Sequence, residues 1–255
     1  MIYQFIRMKI GVCIPCHYGH IGYLDCVLAS IERQTVKPHI VSISISDFPA
    51  DATKHPYMSD KYEIRVITTP NNKNAAENRN IAALAIIDEV DVLSFIDADD
   101  FAAPTRNEII QSVFLNTNAD LFLHNYLLWT TELQNKHVKE SLELLNLRDI
   151  QNIPLSKNFK TRIEQYTNFG QIYISDNSFN FHNAHVSIKS NCFKKQQFPE
   201  DEIIHACEDS HFNYLHYMSG SNIVATPLQL SLYAVSNDET AVSKAIKEAA
   251  KYFIQ

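Results

Sequence analysis

Three carboxylates follow directly on an apolar run that is typical of a buried β-strand. Residues 92–100 read Val-Leu-Ser-Phe-Ile-Asp-Ala-Asp-Asp, so the apolar run stops at Asp97, Asp99 and Asp100. Burying several carboxylates at a strand end is costly unless a cation or hydrogen-bond donors compensate their charge. Hard divalent cations that also bind phosphate oxygens are held by one or two such carboxylates. The stretch therefore indicates either a metal–diphosphate site or an Asp-rich turn that caps the next helix.

A second pair of acids, Glu208 and Asp209, stands at the start of a helical pattern. A carboxylate held beside a hydroxyl group can take its proton as a general base. Because neighbouring side chains diverge along a helix, one acid could orient an acceptor while the other reacts. Acids are also enriched at helix N-termini, where the helix dipole stabilises them. From the residues alone, the catalytic and the helix-terminus interpretations have equal support.

The chain contains eleven histidines, and three of them, His205, His211 and His216, surround these acids. Their spacing is not His-Glu-x-x-His, and no paired cysteines complete a zinc site. We therefore interpret them as partly buried or surface side chains. His185 is kept as a candidate contact to a diphosphate or a metal ion.

The segment Cys13-Ile-Pro-Cys16-His17 matches the spacing of c-type haem attachment and of thiol redox motifs. Haem attachment needs export, and the N-terminus has no long apolar core after a basic start, so no signal peptide is predicted. Cys13 also lies in a strand-like run, where a buried, inert thiol is expected. An odd total of five cysteines indicates free thiols. These features favour structural thiols in a cytoplasmic protein, with peripheral membrane association left open.

Apolar, β-branched runs alternate with helical patterns through the first half of the chain. Strands are predicted at residues 10–14, 40–46, 63–67 and 92–96, with helices at 21–31 and 75–87. Strands that are separated by helices and almost continuously apolar form parallel sheets covered on both faces. Ligands bind outside the carboxyl ends of such strands, and the three aspartates follow one of these ends.

The second half has a weaker pattern. It is predicted to hold a helix from Pro104 to about Leu115, strands at 120–128, 184–188 and 228–234, and a helix at 209–218. Residues 130–170 are more polar and are predicted to form short helices and a mobile loop. The tail carries an apolar stripe at helical spacing, which is typical of a helix docked on the protein body. Tyr126 and Trp129, at a strand exit, fit either core packing or stacking on a sugar.

Composition excludes or disfavours several classes of ligand. The 255 residues include only five glycines, with no Gly-x-Gly-x-x-Gly and no Gly-x-x-x-x-Gly-Lys, so both glycine-rich phosphate loops are absent. A net charge of −7 argues against a general nucleic-acid binder. No uninterrupted apolar stretch reaches the roughly 18 to 20 residues that span a bilayer. A nucleotide would therefore be held through carboxylates and a metal ion.

Several segments, in order along the chain, resemble the motifs of glycosyltransferase family 2. Residues 9–15 resemble its opening strand, which ends in proline, and residues 44–47 resemble its second strand, which ends in an acid. Residues 78–80 resemble its Ala-Arg-Asn helix start, and residues 97–100 its metal motif. Residues 207–209, an aromatic-rich helix and Ser219-Gly220 resemble its Glu-Asp motif.

The resemblance implies a role for each donor-side residue. Pro15, Asp47 and Arg79 are expected on the nucleotide side, with Asp47 accepting a hydrogen bond from the base or ribose. Asp97 is expected to face the ribose, and Asp99 to approach the metal ion. Asp47 could instead form an Asx turn, since Phe48-Pro49 replaces the family's usual following residues, and Arg79 could form a surface salt bridge.

The cation and acceptor sides follow from the same resemblance. Mn²⁺ or Mg²⁺ is expected on Asp99 and Asp97, while Asp100 could either ligate it or cap the next helix. Asp209 is the expected general base, and Glu208 its acceptor-binding neighbour. The third metal ligand is left open.

The implied fold is a GT-A-like α/β/α sandwich with a mainly parallel sheet. Residues 1–235 are expected to form one domain, with a nucleotide half at 1–103, an acceptor half at 104–235, and a helical tail at 236–255. The implied function is metal-dependent, inverting transfer of a sugar from a nucleotide-diphosphate donor, first UDP-sugar, to a hydroxyl acceptor such as a glycan. A sugar-phosphate nucleotidyltransferase and a catalytically degenerate sugar- or nucleotide-binding module are the alternatives.

Overall fold

The structure is a computed structural model that describes residues 8–53, 57–129, 153–166, 169–201 and 207–234. Its strands are β1 (Ile10–His17), β2 (Ile40–Ser46), β3 (Glu63–Thr68), β4 (Val92–Phe95), β5 (Phe101–Ala102), β6 (Leu121–Trp129), β7 (Phe159–Tyr166), β8 (Phe169–Asp176), β9 (Ser187–Lys189) and β10 (Ile223–Ala234). Its α-helices are α1 (Leu24–Glu32), α2 (Ala75–Leu84), α3 (Arg106–Asn116), α4 (Ser190–Phe193) and α5 (Glu208–Met218).

Eight strands form one sheet in the order β3-β2-β1-β4-β9-β6-β10-β5. The pairs β3–β2, β2–β1, β1–β4 and β6–β10 are parallel, while β9 runs antiparallel to both of its neighbours. Strand β5 pairs antiparallel with β10 at the far edge. The prediction of a mainly parallel sheet is confirmed.

Helices cover both faces of this sheet because successive side chains of a strand point to opposite faces. Val12 and Ile14 of β1 pack in one apolar cluster with Leu24 and Val27 of α1. Cys13, between them, packs in a second cluster that includes α2 and α5 residues. The α/β/α arrangement expected from the continuous apolar strands is therefore present.

Strand β9 explains how the second half of the chain reaches the aspartates. Ser187 pairs with Ser94 in antiparallel register. Residues that precede β9 therefore run alongside residues that follow β4. A short 3₁₀ helix at Asn183–His185 consequently lies next to Asp97 and its neighbours.

The first-half strands and helices were predicted close to their observed bounds, and three predictions in the second half were wrong. The predicted strand at 184–188 is a 3₁₀ helix followed by the short β9. The last strand begins at Ile223 instead of 228. Residues 159–166, predicted as short helices and loop, form strand β7, which pairs antiparallel with β8. Residues 130–152 and the predicted tail helix lie outside the described residues.

Proline was expected to end β1, yet the strand continues through Pro15 to His17. Proline has no N–H to donate, so it is normally excluded from central strands. Here β4 pairs with β1 only as far as Cys13 and Phe95, while β2 pairs through His17. The backbone polar groups of Cys13 point towards β4, so those of Pro15, two residues later, point to the same side. Because β4 has already ended there, the N–H that proline lacks has no strand partner to lose.

Helix α2 begins with a capping box, which orients the helix that carries Arg79. The Asn74 side chain accepts from the backbone N–H of Glu77 at 2.9 Å, and the Glu77 carboxylate accepts from the backbone N–H of Asn74 at 2.9 Å. Each bond satisfies a donor that the first helical turn leaves free.

Among the helices that the structure describes, none has both the length and the apolar character of a bilayer-spanning segment.

Loss of this cap should be measurable. Asn74→Ala is expected to lower the free energy of unfolding by about 1 kcal/mol, and the melting temperature by about 2–4 °C, in a thermal melt. Asn74→Asp keeps an acceptor at the same place and should remain near the wild-type value. Equal losses in the two variants would contradict the role of the cap.

Candidate functional site

The carboxyl edge of β1, β2 and β4 gathers most of the predicted site residues. Asp97, Asp99 and Asp100 follow β4, and the turn before β9 lies against them. The first residues of α5, Glu208 and Asp209, reach the same place through Arg79 of α2. Two motifs that are more than 100 residues apart in sequence are therefore joined by one side chain.

Arg79 is a buried bridge between carboxylates rather than a surface salt bridge. One Nη donates to Asp97 Oδ1 at 2.8 Å, and the other donates to Glu208 Oε1. Its guanidinium carbon also lies 5.5 Å from the centroid of the Phe198 ring. Burial would lower the pKa of Arg79, but the acids around it outweigh this and raise the pKa. Arg79 is therefore a permanent cation beneath the acids.

Neighbours on both sides hold Arg79 in position. Asn78 accepts from Ser44 Oγ at 2.8 Å and donates to Ser46 Oγ at 3.0 Å, which ties α2 to β2. Asn80 exchanges two hydrogen bonds with the backbone of Phe198, at 2.9 and 3.0 Å. The Asn-Arg-Asn segment thus connects the parallel half of the sheet to the chain that leads into α5.

The three aspartates have very different electrostatic environments. Burial would raise the pKa of Asp97, but Arg79 and nearby histidines lower it to about 2. Burial and the charges of Asp100 and Asp97 raise the pKa of Asp99 to about 7. One arginine thus compensates only part of the negative charge, which is the electrostatic condition under which a divalent cation is stabilised.

Asp97, Asp100, His182 and His185 form a group whose potential ligand atoms all lie within 4.8 Å of one another. His185 Nε2 is 2.8 Å and His182 Nε2 is 4.0 Å from Asp100 Oδ2. Burial lowers the pKa of both histidines to about 3, so both are neutral imidazoles, the form that ligates metals. His185 Nε2 is buried and makes no hydrogen bond. The residues therefore fit a divalent cation.

A polar layer beneath this group supports it. Arg106, fully buried at the start of α3, donates to Ser94 Oγ at 2.7 Å and to His124 Nε2 at 3.1 Å. It also donates to the carbonyl of His185 at 3.3 Å. Burial lowers the pKa of Arg106 to about 9, so the guanidinium stays charged near neutral pH.

The acid pair at the start of α5 divides into two environments. Glu208 is buried and bound to Arg79, and burial raises its pKa. Asp209 is less buried and accepts from the backbone N–H of Ser210 at 2.6 Å. Of the two, Asp209 is the more exposed carboxylate.

Two aromatic residues border the group on the β10 side. The ring of Tyr233 contacts His182 edge-on at 4.5 Å between centroids, and Tyr126 contacts both of these rings. Burial and the charges of four aspartates, Asp209 among them, raise the pKa of Tyr233 to about 12. Tyr126 therefore packs within the site wall, and Tyr233 is a site residue that the sequence did not indicate.

Pro15 and Asp47 lie along the same edge. Asp47 is exposed at the end of β2, with its Oδ2 3.4 Å from Nε2 of His17, the last residue of β1. Its φ of 55° is in the left-handed region, which aspartate tolerates better than most residues. The buried Pro15 lies two residues before His17 in β1.

The remaining candidates take structural places. Cys13 and Cys16 are buried free thiols whose pKa values burial raises, so the prediction that Cys13 is a buried, free thiol is confirmed. His216 is buried and lies 3.1 Å from both Ser221 Oγ and the Gln196 carbonyl, as expected for a packed histidine. His205 lies outside the described residues.

A separate cavity of about 810 Å³ lies between α1 and the chain that precedes β3. Asp25, Glu32, Tyr57 and Tyr62 are among its lining residues. It contains none of the acids and histidines described above. The chemistry-bearing groups therefore mark the functional site better than the size of a cavity does.

Sequence reasoning missed His182 and Tyr233 and left His185 and Asp100 undecided. A His-x-x-His pair, His182 and His185, at the start of the strand predicted at 184–188 was the available signal. It could not be used without knowing that β9 inserts antiparallel beside β4. The role of Tyr233 likewise depends on the pairing of β10 with β6.

The architecture matches solved structures of another protein. TarS of S. aureus (residues 1–349) in complex with UDP superposes with a TM-score of 0.58 and 16% identity, over 96% of this chain and 65% of that chain. The complex of TarS with UDP-GlcNAc gives a TM-score of 0.59 over the same shares. This chain therefore spans somewhat less than two thirds of those structures, and the likeness shows the GT-A fold. No curated protein matches the chain by sequence.

The sequence model of Glycosyl transferase family 2 matches residues 11–184, which is most of the chain. The match runs from β1 into the 3₁₀ helix Asn183–His185 and ends one residue before His185, so it includes the aspartates and Arg79. Glu208 and Asp209 lie beyond it, and Glu208 is joined to it through Arg79. This chain belongs to glycosyltransferase family 2.

Proposed function

We propose that the chain transfers a sugar from a nucleotide-diphosphate donor to a hydroxyl group of an acceptor such as a glycan. A UDP-sugar is the first candidate for the donor. One observation carries the proposal. At the carboxyl edge of the sheet, aspartates whose negative charge Arg79 only partly neutralises lie near a less buried acid, Asp209. The two acidic motifs are joined there by Arg79. TarS, which shares the fold, is described in complexes with UDP and UDP-GlcNAc, and this supports the donor class.

The donor half is residues 1–103 in this proposal. Asp47, exposed beyond β2, accepts a hydrogen bond from the base or ribose, and Pro15 shapes the adjoining wall. Asp97, with its pKa lowered to about 2, stays ionised and faces the ribose and diphosphate. Arg79 fixes that carboxylate from below.

A divalent cation, Mn²⁺ or Mg²⁺, would complete the donor site beside Asp97 and Asp99. When bound, the cation neutralises charge that develops on the departing nucleotide diphosphate. Its presence would also lower the pKa of Asp99, which now lies near 7 through burial and its acidic neighbours.

The acceptor half is residues 104–235, and Asp209 is the general base. The acceptor oxygen attacks the anomeric carbon, the bond from that carbon to the diphosphate oxygen breaks, and the hydroxyl proton passes to Asp209. A single displacement of this kind inverts the anomeric configuration. Glu208, held by Arg79, lines the acceptor side without taking the proton.

Asp99→Asn tests the cation-dependent donor site. We expect metal-dependent affinity for UDP to fall by at least about tenfold in calorimetric titration with Mn²⁺, as for loss of a metal-site group. The melting temperature should hold or rise, because repulsion with Asp97 and Asp100 is relieved. Asp60→Asn, at an exposed position, is the matched control. Unchanged UDP affinity in Asp99→Asn would refute the assignment.

Product analysis separates this proposal from its two alternatives. Incubated with a UDP-sugar and Mn²⁺, a glycosyltransferase slowly hydrolyses the donor and releases UDP. A nucleotidyltransferase releases pyrophosphate when given a sugar phosphate and a nucleoside triphosphate. A binding module yields neither product, although the nucleotide-sugar that it binds still raises the melting temperature of the protein.

A further inference from the structure

We infer that His182 and His185 are ligands of the cation, together with Asp97 and Asp100, and that this mixed site prefers first-row transition ions to Mg²⁺. Asp99, expected from the sequence as a ligand, is not part of this four-residue group and would act on the cation from beside it. The inference deepens the proposed function, on which it rests for the presence of a cation. Carboxylates of the Asp-x-Asp type alone would give a hard, oxygen-only site, with which Mg²⁺ is compatible. Two imidazoles change that chemistry.

The geometry of His185 is the first argument. Its Nδ1 lies 2.7 Å from Ser231 Oγ, and its Nε2 lies 2.8 Å from Asp100 Oδ2. If Nδ1 carries the proton and donates it to Ser231, Nε2 presents a lone pair towards a carboxylate oxygen. Two acceptors at that distance in a buried site repel each other unless a cation lies between them. A metal-bound histidine commonly donates its other ring N–H in this way.

Burial and spacing extend the argument to the whole group. His185 is fully buried, and His182 is only 9% exposed. The two rings stack at 3.8 Å between centroids, so both present their edges at the same place. Ligand atoms bonded to one transition ion at about 2.0–2.2 Å lie about 3 Å apart, and the four groups are already within 4.8 Å. Small side-chain rotations would complete the site.

The supporting layer holds this arrangement from behind. Arg106 donates to the carbonyls of Phe95 at 2.8 Å and His185 at 3.3 Å. Its buried guanidinium therefore connects the end of β4 to the 3₁₀ helix that carries His185. The separation between Asp97 and the histidines is therefore set by packed main chain. A preorganised site of this kind is expected to bind its ion without nucleotide.

The ligand types determine the ion class. Imidazole suits zinc, copper, iron and nickel, whereas carboxylate, carbonyl and water suit magnesium, calcium and manganese. Affinity for the divalent first-row ions should rise from Mn²⁺ through Fe²⁺ to Co²⁺. Mg²⁺, which keeps its waters and prefers oxygen, should bind more weakly than any of these.

Pulsed electron paramagnetic resonance of bound Mn²⁺ tests the inference directly. The full chain is stripped with a chelator, dialysed and loaded with Mn²⁺ alone, and a second sample also contains UDP. We expect modulation from directly coordinated ¹⁴N in both samples. Bound Mn²⁺ without nitrogen coordination in either sample, or no Mn²⁺ binding at all, would overturn the inference.

Variants assign the nitrogens. His185→Gln and His182→Gln should each weaken the nitrogen modulation, raise the Kd for Mn²⁺ by about 10- to 100-fold and reduce the preference for Mn²⁺ over Mg²⁺ in calorimetry. His216→Gln, at another buried histidine, should leave the modulation and the Kd unchanged. Because the wild-type spectrum is decisive by itself, a variant that fails to fold does not remove the test.

The outcome is distinguishable from failure of the proposed function. Nitrogen coordination without UDP release from any UDP-sugar would keep the metal site and reject the sugar transfer. UDP release from a UDP-sugar, with a spectrum that shows only oxygen ligands, would keep the sugar transfer and reject the histidine ligands.

Discussion

Asp209→Asn is expected to lower kcat by about 10²- to 10⁴-fold, the contribution of a positioned general base. Asparagine keeps the shape and the hydrogen bond from the Ser210 N–H but cannot take a proton at neutral pH. Donor affinity and melting temperature should stay at wild-type values, because Asp209 is not bonded to Arg79 in the structure. The measurement is steady-state transfer with a UDP-sugar, accompanied by UDP titration.

Glu208→Gln is the informative comparison for that result. It removes a charge that is paired with Arg79, so it should lower stability as well as activity. A turnover in Asp209→Asn within a few-fold of wild type would place the base elsewhere. A larger loss of turnover in Glu208→Gln than in Asp209→Asn, at unchanged stability, would exchange their roles.

Arg79→Met is expected to lower the free energy of unfolding by about 3–5 kcal/mol. The guanidinium is 4% exposed and compensates both Asp97 and Glu208. Its removal leaves two carboxylates without their cation in a poorly solvated place. For a chain of this size, that loss corresponds to a fall in melting temperature of about 6–20 °C.

Arg65→Met is the matched control, because Arg65 also bridges two acids, Glu63 and Glu89, but at the surface. Exposed ion pairs contribute about 0–1 kcal/mol, so its melting temperature should fall by only a few degrees at most. Adding Glu208→Gln to Arg79→Met should recover part of the loss, since one stranded charge is then removed. Equal effects of the two arginine variants would show that burial of Arg79 does not matter.

Those two predictions depend on contacts that no local pattern reveals. The Asn-Arg-Asn segment was recognisable, yet whether Arg79 faced a diphosphate, a surface acid or a buried carboxylate could not be decided from its neighbours in sequence. The structure shows that its partners are Asp97 and Glu208, which are 18 and 129 residues away in the chain. Ion pairs of such long range depend on the packing of α2 against β1 and α5.

Local chemistry alone determined that β4 ends in three carboxylates, because an apolar run and the acids after it are contiguous in sequence. It likewise determined the parallel half of the sheet, since β-branched runs and helical patterns alternate there with the periods that each structure requires. The burial of the Cys13 thiol likewise followed from the strand-like run that contains it. These are properties that a chain carries within a few residues.

Only the tertiary structure decided which groups meet those carboxylates. The antiparallel insertion of β9 beside β4 brings His182 and His185 to the aspartates, and β10 brings Ser231 and Tyr233. Strand order and direction are set by the lowest free energy of the whole packed sheet. The short β9, with three residues and little periodicity of its own, takes its place from its partners rather than from its sequence.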